Sequence, residues 1–154
     1  MAKKEKPRES IRNRKAFHDY HILEKYETGI ELQGTEVKAI RAGEANLRDN
    51  YAQIKDGEVW LHQLHISPYK HGNIMNHEPR RPRKLLMHKR EINRLIGKVQ
   101  QQGLTLVVLA IYWKKNWLKA ELALVKGKKE HDKRETIAKR DADRQMQRAI
   151  RQSI

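Results

Sequence analysis

The stretch that decides the fold runs from Leu104 to Val125 and reads LTLVVLAIYWKKNWLKAELALV. Its first half, ending at Trp113, is a nearly unbroken apolar run rich in Leu and Val, which is typical of a central strand. The polar residues Lys114 to Asn116 then turn the chain. Apolar residues alternate with other residues through the second half, as in a strand that buries one face. The stretch therefore predicts an antiparallel hairpin with one face on the core.

Shorter β patterns precede this hairpin. Residues 20–26 alternate like a half-buried strand, Glu27-Thr28-Gly29 resembles a turn, and residues 30–32 resume the strand. Further along, Asp56-Gly57 separates the β-prone runs 51–55 and 58–64. Such a pair favours a type I′ turn because both central residues need positive φ. The sequence thus predicts a second hairpin.

Helical patterns are fewer. Residues 34–43 place Val37 and Ile40 three apart between two glycines, which predicts a short helix. Residues 88–102 form the clearest helix, because their apolar side chains recur along one stripe until Gly103 ends it. The intervening segment 67–84 is long, polar and rich in proline, and we expect a loop with a binding role. Together the patterns favour a mainly β fold, an OB-like antiparallel β-barrel with about three helices and a basic C-terminal tail.

Composition divides the chain into three parts: a basic arm over 1–16, the barrel over 17–126 and the tail over 127–154. The arm holds little that could be buried, so we expect it to be flexible until a partner orders it. In a helical projection of the tail, one narrow face carries arginines and the opposite face a thin apolar stripe. We therefore expect a tail that is disordered when free and helical against RNA. The arginines are Arg140, Arg144, Arg148 and Arg151.

The charge balance indicates a polyanionic partner. Lys and Arg total 34 against 19 Asp and Glu, which gives a formal net charge of +15. The natural counter-surface is nucleic acid or an anionic membrane face. The longest apolar run is about half of the roughly 20 residues that a membrane helix needs. With no signal peptide and no Cys, we expect a cytoplasmic protein without disulfides or thiolate metal sites.

Basic residues cluster in the arm, in the run 80–84 and in the tail, and three clusters favour nucleic-acid binding over a merely solvated surface. RNA is preferred over DNA because the sequence has no helix-turn-helix spacing and no zinc-finger pattern. A β-barrel with exposed aromatic residues also suits folded or single-stranded RNA. Four aromatic residues could stack on bases, although packing is the simpler explanation for each: Tyr20, Tyr51, Tyr69 and Trp117.

Catalysis and metal binding find little support. A strand would place His62 and His65 on opposite faces, so we expect no metal site. We also expect no cofactor. The sequence has no Gly-rich phosphate cradle and no nucleophile elbow. Glu27, Glu31 and Glu36 each have a basic neighbour, and structural ion pairing is the default interpretation. We expect a protein that is not an enzyme.

Several stretches occur in an order that resembles the small protein B family, the partner of tmRNA. They are Gly34-Thr35-Glu36-Val37-Lys38, Arg41-Ala42-Gly43, Asn46-Leu47, Arg83-Lys84-Leu85-Leu86, Tyr112-Trp113-Lys114, Gly127-Lys128-Lys129 and His131-Asp132-Lys133-Arg134-Glu135-Thr136. The resemblance implies an OB-like barrel with extra helices that binds the tRNA-like domain of tmRNA. It also implies an adaptor, one copy per tmRNA, that delivers tmRNA to stalled ribosomes. The tail would lie in the empty mRNA channel and at the decoding centre, against small-subunit rRNA.

The resemblance also assigns roles to residues. Glu27 and the stretch Lys84-Leu85-Leu86-Met87-His88 are tied to tmRNA binding, although Leu85 and Leu86 could equally belong to the core. Asp132, Lys133 and Arg134 are tied to accommodation on the ribosome. The full tmRNA-binding set is Tyr20, Glu27, Lys38, Arg41, Asn46, Arg80, Arg83, Lys84 and His88. The ribosome-binding set is Lys128, Lys129, His131, Asp132, Lys133, Arg134, Arg140, Arg144, Arg148 and Arg151.

Two departures from the family pattern stand out: Met87 replaces a usual Leu, and Ala138 replaces a frequent Lys of the tail. The second puts one tail phosphate contact in doubt. Two other hypotheses stay open beside the tmRNA adaptor. One is a generic OB-fold RNA-binding protein without a dedicated partner, and the other is an RNA-processing enzyme that uses His and Glu.

Overall fold

The structure is a computed structural model that describes residues 10–70, 76–101 and 103–152. The described chain contains nine strands and four helices. In order they are β1 (Ile11–Arg12), α1 (Arg14–Asp19), β2 (Tyr20–Ile30), α2 (Gly34–Arg41), β3 (Ala45–Asn46), β4 (Tyr51–Lys55), β5 (Glu58–His62), β6 (His65–Ile66), β7 (Arg83–Leu86), α3 (Lys89–Val99), β8 (Leu104–Lys114), β9 (Trp117–Gly127) and α4 (Glu130–Gln152).

Seven of the strands form one antiparallel sheet that closes on itself. Its order is β1-β8-β4-β5-β7-β2-β9, and β9 also pairs with β8, which completes the ring. The short strands β3 and β6 form a separate two-stranded ladder. Closure pairs the strand edges that an open sheet would expose. The predicted antiparallel barrel is confirmed.

The hairpin of β8 and β9 is confirmed, with pairing from Leu104↔Lys126 to Lys114↔Trp117. Lys115 has a φ of 55° at its turn. One face packs on the main core as predicted, and α1 also covers part of the other face. One face carries Leu106, Val108, Ile111, Leu122 and Leu124 into the main core. The other buries Val107, Leu109, Ala123 and Val125 against Ala16 of α1. This second cluster explains why the sequence of β8 does not alternate.

The turn predicted at Glu27-Thr28-Gly29 is wrong, because β2 continues without interruption to Ile30. Thr28 is buried and its hydroxyl donates to the Ala120 carbonyl at 3.2 Å. A Cβ at Gly29 would lie 3.2 Å from Cβ of Leu86 on the neighbouring strand β7. The glycine at this position therefore permits close strand packing rather than a change of chain direction.

The hairpin predicted at Asp56-Gly57 is confirmed. β4 and β5 pair from Tyr51↔His62 to Lys55↔Glu58, and φ is 52° at Asp56 and 75° at Gly57. Both predicted helices also exist, as α2 and the somewhat shortened α3. Since His62 ends β5 and His65 begins β6, the two histidines do not share a strand as the sequence suggested.

Residues 11–16 pair with or pack on the barrel, so the predicted boundary at residue 17 is too late. β1 pairs with β8 at Ile11↔Ile111. Asn13 is buried; its Nδ2 donates to the Val108 carbonyl at 3.3 Å, and its Oδ1 accepts from the Ala16 amide at 3.2 Å. This N-cap starts α1, which brings the number of helices to four rather than about three. Residues 1–9 lie outside the described part of the chain.

The tail is helical from Glu130 to Gln152 in the structure. The expectation that the free tail is largely disordered stays a prediction. Among the described residues, no helix is both long and apolar enough to span a membrane.

Candidate nucleic-acid interface

A groove of about 600 Å³ opens where β2, β7, β9 and the start of α3 meet. We call it the Trp117 groove, because the side chain of Trp117 at its rim is 72% exposed. Trp117 is the first residue after the β8–β9 turn, which projects the indole beyond the barrel wall. An exposed indole offers a flat surface on which an RNA base can stack. The groove is lined by Glu27, Gly29, Ile30, Leu86, Met87, His88, Glu91, Trp117, Leu118 and Lys119.

Glu27 supplies a carboxylate to this groove. It accepts a hydrogen bond from Tyr112 Oη at 2.7 Å and pairs with Lys114 Nζ at 3.2 Å. These two hydrogen bonds lower the pKa of Glu27 below its ordinary value. Burial, assisted by the bond to Glu27, raises the pKa of Tyr112 to about 12. Glu27 is therefore ionised at neutral pH and can accept hydrogen bonds from base amino groups or ribose hydroxyls.

The stretch 84–88 divides between core and groove. Leu85 is buried in the main core, whereas Leu86 is 50% exposed and lines the groove. His88 is exposed and immediately precedes the first turn of α3. Lys84 Nζ pairs with Glu58 at 3.0 Å, so its charge already has a partner on the barrel. Leu85 therefore belongs to the core, whereas Leu86 is available to a ligand in the groove.

Arg83 was predicted to bind RNA, and this prediction is wrong because the side chain is completely buried. Its Nε donates to Glu36, and its Nη1 donates to the carbonyls of Leu64 at 2.6 Å and Arg81 at 3.2 Å. Glu36 is equally buried and also pairs with Arg81. The guanidinium therefore fastens the end of the long loop to α2 and the barrel. The expected structural ion pairing of Glu36 is confirmed.

The pKa values in this buried cluster reflect two opposing effects. Burial alone would raise the pKa of Glu36, but hydrogen bonds from Arg81, the Gln33 amide and Arg83 outweigh it, and the pKa lies below its ordinary value. Burial lowers the pKa of Arg83, while Glu36 opposes that shift. A carboxylate and a guanidinium that satisfy each other in this way stay charged in the interior.

Two exposed cations lie on α2, where each approaches an aromatic ring. Lys38 Nζ is 5.6 Å from the ring centre of Tyr69, and Arg41 Cζ is 5.4 Å from that of Trp113. These cation–π contacts fix the side-chain directions while leaving both charges accessible. Tyr20, in contrast, is half-buried against the Ala16 cluster, which favours a packing role for it.

Asn46 and Arg80 lie in a different pocket from the Trp117 groove. Arg48, Gln63 and His65 line the same pocket. These three residues are absent from the predicted RNA-binding set, because they come from separate segments of the chain that only the fold brings together.

The predicted ribosome-binding residues lie on and just before α4. Those at its start contact the barrel: Asp132 Oδ2 is 3.2 Å from His21 Nε2, and Lys133 Nζ is 3.7 Å from Asp19 Oδ1. Lys128 donates from its amide to the Asp19 carbonyl at 2.9 Å, and from Nζ to the Phe17 carbonyl at 3.2 Å. The exposed residues are Lys129, Arg134, Arg140, Arg144, Arg148 and Arg151. The side chain of His131 lies outside the described part of the structure.

Comparison with known proteins identifies the family. The model of the SmpB protein family matches residues 10–152, which include the barrel and the tail helix. The chain belongs to the SmpB family.

Close relatives agree with this assignment. The chain is 66% identical over 139 residues to the SsrA-binding protein of Carboxydothermus hydrogenoformans, covering 90% of this chain and 93% of that protein. It is 62% identical over 141 residues to the SsrA-binding protein of Trichodesmium erythraeum, covering 91% and 90%. A solved chain described under "tmRNA-SmpB: a journey to the center of the bacterial ribosome" matches with a TM-score of 0.67 and 52% identity, covering 79% of this chain and 85% of that one.

Proposed function

We propose that this SmpB-family protein is a cytoplasmic RNA-binding adaptor of trans-translation. It binds the tRNA-like domain of tmRNA, one copy per RNA, and delivers it to stalled ribosomes. What carries this proposal is the match of barrel and tail together to proteins named SsrA-binding protein, with nearly complete coverage on both sides. The solved relative described with tmRNA and the bacterial ribosome supports both partners.

On the barrel, the Trp117 groove is the proposed contact to unpaired nucleotides of tmRNA. Trp117 offers a stacking surface, Glu27 an ionised acceptor, and His88 a ring at the entrance to α3. Lys38 and Arg41 supply exposed charges for the RNA backbone. A rigid barrel with such a face suits a folded RNA, which proteins recognise by shape and by splayed bases.

On the ribosome, we infer that the tail contributes mainly charge. Arg140, Arg144 and Arg148 are exposed and follow one another at four-residue intervals along α4, so they lie on one side of the helix. The proposed counter-surface is small-subunit rRNA at the decoding centre and in the vacated mRNA channel. Arginine phosphate contacts of this kind need no particular base sequence.

The lowered pKa values of the carboxylates favour an adaptor over an enzyme. The pKa values of Asp19, Glu24, Glu27 and Glu36 are all lowered, whereas a general acid–base group needs a pKa near the working pH. These carboxylates are therefore partners in ion pairs and hydrogen bonds rather than proton shuttles. The chemistry of tagging is left to other components.

A competition assay tests the proposal. Labelled tRNA-like domain of tmRNA is bound to the purified protein at about 150 mM salt and challenged with an unrelated RNA of equal length. We expect the unrelated RNA to compete at least about a hundredfold less well than unlabelled tRNA-like domain, since non-specific affinity is weak at this salt. Equal competition by both RNAs would reduce the protein to a generic RNA binder.

A further inference from the structure

A second pocket on the barrel, of about 300 Å³, shares no lining residue with the Trp117 groove. It forms where the segment 46–49, the segment 63–65 and the end of the long loop meet. Its lining residues are Asn46, Arg48, Asp49, Gln63, His65 and Arg80. We call it the Arg48–Arg80 pocket.

The backbone around this pocket holds the polar side chains in place. Asn46 and His65 are paired across the β3–β6 ladder, so their side chains lie on the same face. Asn46 Oδ1 accepts from the Arg48 amide at 2.8 Å, which fixes the turn after β3. Asp49 and Gln63 have φ values of 62° and 63°, a conformation that residues other than glycine seldom adopt. Such positions are concentrated at ligand sites.

The charges of the pocket are unbalanced in favour of an anion. Among the described residues, the guanidinium of Arg48 forms no ion pair, and that of Arg80 makes one contact, at 3.4 Å to Gln63 Oε1. Asp49 contributes the one carboxylate among the described lining residues, and it is paired with Lys15 at 3.2 Å. The neighbouring Glu78 accepts from the main-chain amide of Arg80 rather than from its guanidinium. Two cationic groups therefore share one open space.

We propose that the Arg48–Arg80 pocket binds a phosphodiester of the RNA backbone together with the adjoining unpaired nucleotide. Planar guanidinium groups donate two parallel hydrogen bonds to a phosphate, which an ammonium cannot do. Asn46 and Gln63 carry amides that can both donate to and accept from a base edge or a ribose hydroxyl. This inference rests on the proposed function in that RNA is the partner, and it adds a second contact site on the barrel.

The test measures the affinity of the full-length protein for the tRNA-like domain of tmRNA over a series of salt concentrations. Arg48→Gln and Arg80→Gln should each raise Kd about fivefold or more, since each removes charged hydrogen bonds to phosphate. Each should also lower the slope of log affinity against log salt by about one. Arg48→Lys and Arg80→Lys keep the charge and should restore the slope while recovering only part of the affinity.

Lys55→Gln is the matched control, because Lys55 is an exposed cation of the β4–β5 hairpin that lines neither site. Its Kd should change less than about twofold. If both arginine variants behave like Lys55→Gln while the unchanged protein prefers the tRNA-like domain, the pocket proposal fails and the proposed function stands. If the unchanged protein shows no such preference, the proposed function fails. In that case, a loss of RNA affinity in the Arg48→Gln and Arg80→Gln variants would still support the phosphodiester site.

Discussion

Oδ2 of Asp132, in the first turn of the tail helix, lies 3.2 Å from Nε2 of His21 on β2. Lys133 reaches Asp19 at 3.7 Å, and the Lys128 amide donates to the carbonyl of the same aspartate at 2.9 Å. Side chains predicted to serve on the ribosome are thus engaged by the barrel. A carboxylate oxygen held by His21 is not free for rRNA, so we expect docking of the tail on the barrel to compete with its proposed contacts to rRNA.

Removing this contact should loosen the start of α4. We expect Asp132→Ala to speed amide exchange over residues 130–136 by up to about fivefold, because a partly exposed polar contact of this kind contributes about 0–1 kcal/mol. Hydrogen-exchange mass spectrometry measures the change. Asp141→Ala is the control, since it removes the same side chain from an exposed position further along the helix. Equal effects of the two variants would show that the His21 contact does not hold the tail.

The buried pair of Glu36 and Arg83 should dominate the stability of the barrel. Glu36→Gln leaves an unpaired charge in the interior, and we expect it to lower the free energy of unfolding by about 3–5 kcal/mol in urea titrations. Glu31→Gln, at an exposed position nearby, should change it by less than about 0.5 kcal/mol. If the single variant does not fold, Glu36→Gln combined with Arg83→Met should recover a folded protein, because no fully buried charge is then left without a partner, whereas Arg81 is partly exposed. Similar stabilities of the Glu36 and Glu31 variants would contradict this expectation.

The same pair predicts the response to acid. The pKa of Glu36 in the folded protein lies below its ordinary value of 4.5, so its contribution to stability is complete above that pH. The contribution is lost as the pH falls through the lower folded value. The lowered pKa values of Asp19, Glu24 and Glu27 act in the same direction. We expect the free energy of unfolding, measured by urea titration at a series of pH values, to fall on acidification below about pH 4.5. The fall should be less steep in the Glu36→Gln variant. Equal free energies above and below this pH would contradict the prediction.

Elements set by local sequence could be predicted, and elements set by distant contacts could not. The Asp56-Gly57 turn requires positive φ at both residues, and an Asp-Gly pair favours this conformation, so the local sequence is enough to predict the turn. The helix α1 was missed because its segment is basic, and only Ala16 is buried by the barrel. Gly29 looks like a turn residue in the sequence, but the glycine is needed because Leu86 of another strand packs closely against it. The local sequence carries no sign of that contact.

The site shows the same division. An arginine within an arginine-rich loop looks like an RNA contact, and the partner that buries Arg83 is Glu36, 47 residues away in sequence. The sequence does not predict Arg48 or His65 as RNA contacts, because one follows β3 and the other begins β6, and only the ladder between these strands brings them together. Charge and aromatic content indicated the kind of partner, whereas the fold decides which charges remain available to it.

Trp117 should contribute to tmRNA binding without contributing to folding. Because its indole is 72% exposed, Trp117→Ala should leave the free energy of unfolding within about 0.5 kcal/mol. If a base stacks on it, the free energy of binding should weaken by about 1–3 kcal/mol. Filter binding to the tRNA-like domain measures this loss. Leu23→Ala, a 50% exposed apolar residue of β2 that does not line the groove, should bind as the unchanged protein does. Unchanged affinity in the Trp117 variant would exclude stacking at this site.

The division of labour between barrel and tail gives the last prediction. Removing the residues after Lys129 deletes α4 but leaves all nine strands of the described chain, so tmRNA affinity should stay within about threefold while tagging of stalled chains is lost. Replacing Arg140, Arg144 and Arg148 with Gln should also reduce tagging, with barrel stability within about 0.5 kcal/mol, because these side chains are exposed. Tagging in a reconstituted translation system, read beside RNA binding, separates the two steps. A truncated protein that no longer binds tmRNA would mean that the tail helix is part of the barrel's RNA-binding face, because its docked first turn then supports that face directly.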